Sequence, residues 1–135
     1  MAQSKTTAVT GELRISRAIT HSDNGSTVQA VELNAGDFVP AYGVSFIVQE
    51  AFAGGTPSMT IGDGSAADGW LTSANITEAA TGTYNSVAGA YSVTGKEYAA
   101  ADTVDIVVAD TTLTDGTGYV CVIVYPTGGL DMASN

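Results

Sequence analysis

Charge is scarce in this chain, and positive charge is scarcer still. Only 13% of the 135 residues are charged, and four Lys and Arg stand against fourteen Asp and Glu, a formal net charge of −10. Such a surface repels phosphate backbones, so nucleic acid is not an expected partner. The single cysteine excludes an intrachain disulfide framework, and with one histidine beside it there are few nitrogen and sulfur ligands for a zinc or copper centre. No apolar run approaches the roughly 18 residues that span a membrane, and the opening MAQSKTTAVTG lacks the apolar region of a secretory signal, so no membrane contact is expected. Helical patterning is missing too: no long window keeps apolar side chains at i, i+3, i+4 and i+7 without a glycine or proline breaking it.

A hydrophobic fraction of 44% argues against disorder and leaves material for one core in one domain. What fills the chain is glycine, threonine and short β-branched runs bounded by Gly, Asn, Asp and Pro, the pattern of an all-β fold, an antiparallel β-sandwich. Leu13 to Ile19 reads as the first strand, with Leu13, Ile15 and Ile19 on one face. Asn24-Gly25 supplies a tight turn, from which Thr27 to Leu33 returns. Gly43 to Phe52 is the longest alternating stretch, placing Val44, Phe46, Val48 and Phe52 on one side. Further runs cover Ser58 to Ile61, Trp70-Leu71, Asn75 to Thr77, Thr83-Tyr84, Thr103 to Val108 and Tyr119 to Tyr125, with long Gly/Asp/Thr loops between them. The expected organisation is a flexible N-terminal arm over 1–11, a sandwich over 12–126 and a tail over 127–135. The run Tyr119 to Tyr125 is apolar on both faces. One face can enter the core, and the other needs cover from the same chain or a neighbouring subunit, which makes Tyr119, Cys121, Ile123 and Tyr125 the candidate self-association residues.

The charge is unevenly placed. Residues 1–17 hold Lys5, Arg14 and Arg17 against Glu12, a net of +2, and the remainder carries −12. A slightly basic leader ahead of an acidic body suggests docking on a separate acidic surface through Lys5, Arg14 and Arg17, against the plainer alternative of a frayed terminus.

Reactive constellations are wanting. Gly89 to Gly95-Lys96 is one residue too long for a phosphate loop, and Glu97 stands where a hydroxyl is required. His21-Ser22-Asp23 holds the three residue types of a catalytic triad, but adjacent side chains cannot aim at one another as a triad must, so a polar turn is expected. Cys121, among valines, reads as a small buried hydrophobe with a raised pKa. Asp63 and Asp68 flank a Gly-rich loop that could hold Ca²⁺, though without EF-hand spacing, and a solvated turn is the expectation. Asn24 and Asn75 match the glycosylation pattern only as chance allows in a Thr-rich chain. Trp70 is expected in the core, and the tyrosines (Tyr42, Tyr84, Tyr91, Tyr98, Tyr119, Tyr125) on sheet faces. No cofactor and no catalytic residue are expected.

Two blocks then become recognisable. Phe46 to Phe52, a Gly-Gly-Thr-Pro turn, Met59 to Gly64 and Asp68-Gly69-Trp70-Leu71-Thr72-Ser73-Ala74 form one. Ala99 to Val104, Thr114 to Tyr119 and the closing Val/Ile/Tyr strand form the other. Over about residues 40–125 the chain resembles small all-β virion proteins of tailed bacteriophages, in particular head decoration (cement) proteins. The resemblance implies a noncatalytic jelly-roll-like sandwich on the outer surface of the phage head, bridging and stabilising major capsid protein subunits. On such a shell the two-sided strand from Tyr119 to Tyr125 suits a homo-oligomer, expected as a trimer matched to three-fold lattice positions. The alternative it leaves open is a tail or head fibre domain that binds host-surface glycans through tyrosines and the 62–70 loop.

Overall fold

The computed structural model describes residues 11–85 and 89–126. Within them the chain runs β1 (Glu12–Ile15), β2 (Ile19–Thr20), β3 (Thr27–Leu33), β4 (Asp37–Val39), β5 (Val44–Ala53), β6 (Met59–Gly62), β7 (Gly82–Asn85), β8 (Lys96–Tyr98), β9 (Asp102–Val108) and β10 (Asp115–Pro126), with 3-10 turns at His21–Asp23 and Ser73–Asn75. All strand pairs are antiparallel. The larger sheet has the order β7-β5-β10-β4-β8, with β1 and β2 also paired to β10; the smaller is β3-β9-β6. This is the all-β sandwich that the β-branched runs predict, and no helix among the described residues is long and apolar enough to cross a membrane.

The core lies between the sheets and follows the alternation of the strands. Val44, Phe46 and Val48 of β5 and Val120, Val122 and Val124 of β10 point inward from the large sheet; Val104, Ile106 and Val108 of β9 and Met59 and Ile61 of β6 point inward from the small one, all fully or almost fully buried. Phe52 keeps its place in this core although β5 pairs irregularly beyond Val48. Register shifts there set Glu50 opposite Thr117 and Ala53 opposite Asp115, so β5 bulges twice and regains the parity that buries Phe52.

Several sequence expectations change in the folded chain. The predicted strand from Leu13 to Ile19 breaks at Ser16, whose N–H donates to the Val120 carbonyl while its Oγ accepts from the Val120 N–H. Leu13 and Ile15 therefore stay on the outer face while Ile19 turns into the core, fully buried. Gly25 does adopt a positive φ of 71°, with Asn24 at φ −53° and ψ 140°, the geometry of a type II turn. That turn passes from one sheet to the other, because β2 pairs with β10 and β3 pairs with β9. Asn75 sits in a 3-10 turn, where its Oδ1 accepts from the Thr72 N–H and hydroxyl. The short strands β4 and β8 carry no alternating apolar pattern long enough to announce them.

Gly118 shows how tightly the central strand packs. A Cβ there would stand 2.5 Å from Phe46 Cζ and 2.8 Å from the Ile47 carbonyl oxygen. Gly118→Ala is expected to cost about 2 kcal/mol through overpacking. Urea unfolding would show a lower midpoint at unchanged slope; an unchanged midpoint would mean that this contact does not limit the core.

Candidate functional site

The outward positions of four adjacent strands form the most distinctive surface. Pairing register places Leu13 beside Ile123, Ile15 beside Cys121, Cys121 beside Ser45, Ser45 beside Asn85, and Tyr119, Ile47 and Thr83 in a further row. None of these side chains is charged at neutral pH. Leu13 is 63% exposed, Ile15 57% and Ile123 41%, whereas Cys121 between them is buried. At the rim, Tyr42 and Val93 are also exposed. Tyr42 holds a positive φ of 59°, pinned by its N–H donating to the Ser92 carbonyl and by Asn85 Nδ2 donating to the Tyr42 carbonyl. Large hydrophobic residues standing in water next to one another mark contact surfaces more than scattered single ones do.

The four candidate self-association residues alternate along β10 on this outward side, with Tyr119 and Tyr125 half-buried. The Tyr125 ring lies over Gly11, 3.1 Å from where a Cβ would stand. Cys121 has its thiol pKa raised by burial alone. Reading the residues in sequence missed Leu13 and Ile15 as part of this face, because an uninterrupted strand would have aligned them with buried Ile19. A usable signal was present: residues 38–49, 79–95 and 116–130 contain no charged residue, and described residues of each stretch, Ser45 and Ile47, Thr83 and Asn85, Tyr119 to Ile123, lie on this side of the molecule.

The smaller sheet has the opposite character. Its outward positions carry Thr27, Gln29 and Glu32 on β3, paired with Val107, Asp105 and Thr103 on β9. The Thr103 hydroxyl donates to Asp105 Oδ1 at 2.5 Å. Burial is the largest influence raising the Asp105 pKa, and the neighbouring charges of Asp102 and Asp63 add to it.

Arg14 and Arg17 are engaged within the chain. Arg14 pairs with Glu12 and with buried Asp37, each at 2.9 Å, and donates to the Glu32 carbonyl, tying β1 to β3 across the sandwich edge. Arg17 pairs with Asp23 at 2.8 Å while its side chain remains 58% exposed. Hydrogen bonding from Arg17 is the main cause holding the Asp23 carboxyl below its usual range. Asp23 is thus occupied as an ion-pair partner within the polar 3-10 turn His21–Asp23. Lys5 lies outside the described residues.

Behind the rim loops sits a buried carboxylate. Asp63 Oδ1 accepts from the Ser65 and Ala66 N–H groups and the Tyr91 hydroxyl; Oδ2 accepts from Lys96 Nζ at 2.6 Å and the Tyr98 hydroxyl at 2.9 Å. The Asp63 side chain is fully buried and that of Lys96 is 25% exposed. Lys96 Nζ also stands 4.2 Å from the Tyr91 ring centroid, and Trp70 Nε1 donates to the Tyr98 hydroxyl at 3.0 Å. Burial works against the Asp63 charge, yet Lys96, the two backbone donors and Tyr98 together hold its pKa below the ordinary value. Its oxygens are therefore spent inside the fold, and Asp63 shares no ligand cage with exposed Asp68. Among the described residues no three His, Cys, Asp or Glu side chains are grouped to hold a metal ion. Trp70 is in the core, as expected, and with Tyr98 it is turned away from any sugar-stacking platform.

No protein-family model matches the sequence, and no curated protein matches it. Solved structures do. A chain of the cyanophage Pam1 capsid asymmetric unit superposes with a TM-score of 0.63 at 17% identity, covering 93% of this chain and 92% of that one. A chain of the acid-stable capsid of Helicobacter pylori bacteriophage KHP30 superposes with a TM-score of 0.64 at 14% identity, covering 87% and 90%. The chain thus has a fold found in phage capsids, in keeping with the virion resemblance of its sequence.

Asp63→Asn removes the partner of a largely desolvated lysine and is expected to cost about 3 kcal/mol at neutral pH. The Asp63 pKa is depressed in the folded state, so its stabilisation is complete above the unfolded value of about 3.9 and is lost as pH falls through the lower folded value. Urea titrations from pH 7 to pH 2 should show the gap between wild type and variant narrowing only below about pH 4. A constant gap would refute the assignment.

Proposed function

We propose that this chain is a decoration (cement) protein of a tailed-phage head, a noncatalytic homo-oligomer, expected as a trimer, that binds the outer surface of the shell and bridges major capsid protein subunits. The observation that carries this reading is the extent of the structural match. The likeness spans about nine-tenths of this chain and of chains taken from two phage capsids, so nearly all of this chain shares the build of those shell components. The physical properties agree. A sandwich whose buried side-chain polar atoms all find partners among the described residues has little left to order on binding, which keeps the entropic cost of attachment low. An acidic body keeps crowded copies soluble and away from packaged nucleic acid. Many copies on one particle turn modest contacts into durable ones.

For docking we assign the basic leader, Lys5 with Arg14 and Arg17, to an acidic patch on the shell. The three do not contribute alike. Arg14 also clamps buried Asp37, so reversing it would disturb the fold, whereas Arg17 is exposed and pairs with Asp23 in the 3-10 turn, away from the core.

Purified protein added to undecorated heads of its own phage should bind them and raise the temperature at which heated heads release DNA. Lys5→Glu with Arg17→Glu should weaken binding about tenfold at low salt, with the difference shrinking at high salt as the charges are screened. Heads that bind neither protein, while isolated glycans shift its tryptophan fluorescence, would transfer the chain to the fibre class. Affinity unmoved by the reversal at every salt concentration would eliminate the electrostatic docking.

A further inference from the structure

Charge is segregated between the two sides of this sandwich, and that segregation selects what can cover its apolar face. We propose that the outward face of β1, β10, β5 and β7 is occupied by a second copy of the same chain, with Leu13, Ile15 and Ile123 as the anchors and the small-sheet face left in water. This rests on the reading that the protein works as a homo-oligomer, and it names the surface involved.

Two copies of a chain with net charge −10 repel one another over most of their surfaces. The outward positions of these four strands are where that repulsion is weakest, because from Leu13, Ile15 and Ile123 across to Asn85 they display uncharged side chains, with the acids Glu50 and Asp115 confined to one end of the face. On the small sheet the corresponding positions bring Glu32 and Asp105 into any contact. The apolar side is also where burial has most to gain, since Leu13 and Ile15 expose more than half of their surface. Burying a Leu or Ile completely contributes about 1.5–3 kcal/mol. Cys121 and Ser45, small residues adjacent in one row, leave a shallow floor beside Ile15 and Ile123 into which a partner's aliphatic side chain can settle. Four strands spaced about 4.8 Å apart give a face about 20 Å wide, smaller than a standard interface. The association is therefore concentration-dependent in solution and becomes firm only where a shell holds copies side by side.

Sedimentation velocity over a concentration series tests this directly. Wild type should shift from the 13.6 kDa monomer toward a discrete oligomer, and high salt should preserve the shift because no charge pair holds the face together. Leu13→Glu with Ile123→Glu should weaken association at least tenfold while circular dichroism and unfolding midpoint stay near wild type. Gln29→Glu with Thr103→Glu adds the same charge to the other sheet and should leave association within about threefold. Equal weakening by both pairs, or none by the first, would overturn the assignment. A wild type that stays monomeric yet decorates heads would overturn it as well, leaving the decoration reading intact. Association lost only in the Leu13/Ile123 pair, in a protein that binds no heads, would sustain this face and remove the decoration reading alone.

Discussion

Strand β10 is the constraint on which the fold depends. It is hydrogen-bonded on one edge to β5, with β4 continuing that edge at Tyr125, and on the other edge to β2 and then β1, so both rows of its backbone groups are committed. Its inward side chains, Val120, Val122 and Val124, are fully buried in the core shared with β9. Only its outward side is left to meet anything else. Because it is central, whatever its outward residues touch is touched on the stiffest part of the sandwich, where binding orders little that was loose beforehand.

The polar side of the molecule follows from the same economy of charge. Buried acids are each given donors: Asp37 takes Arg14 and the Asn34 N–H, Asp63 takes five donors, and Glu78 takes the Met59 N–H. Burial drives the Glu78 pKa upward against the hydrogen bonds from its own and the Met59 backbone N–H. With Arg14, Arg17 and Lys96 all paired to acids inside the chain, the described surface is left with acid in excess and one broad neutral side. That arrangement permits a protein to stay dispersed at high concentration and still join its own kind along a single direction.

What the sequence disclosed was the large pattern. The alternation of Val44, Phe46 and Val48 named the inward face of β5, and the two-sided apolar run from Tyr119 to Tyr125 marked a strand whose second face needs cover. Trp70, at the exit of the acidic loop, could be read as a core plug or a contact residue, and it is a core plug. Other features depend on tertiary contacts that local pattern does not encode. The break at Ser16 that separates Leu13 from Ile19 arises from its hydrogen bonds to Val120 across the sheet. The pairing of Lys96 with Asp63 joins residues from opposite ends of the middle of the chain. Arg14 and Arg17 looked free in a basic leader because their acidic partners Asp37 and Asp23 come from other elements.

The central claim is that one side of the sandwich is built for neighbours and the other for water. A density map of the decorated particle tests it most directly. The account predicts that Leu13, Ile15 and Ile123 lie within contact distance of an adjacent copy, with Glu32 and Asp105 facing solvent. A map showing those three hydrophobic residues open to water and the Glu32 side pressed between copies would contradict it.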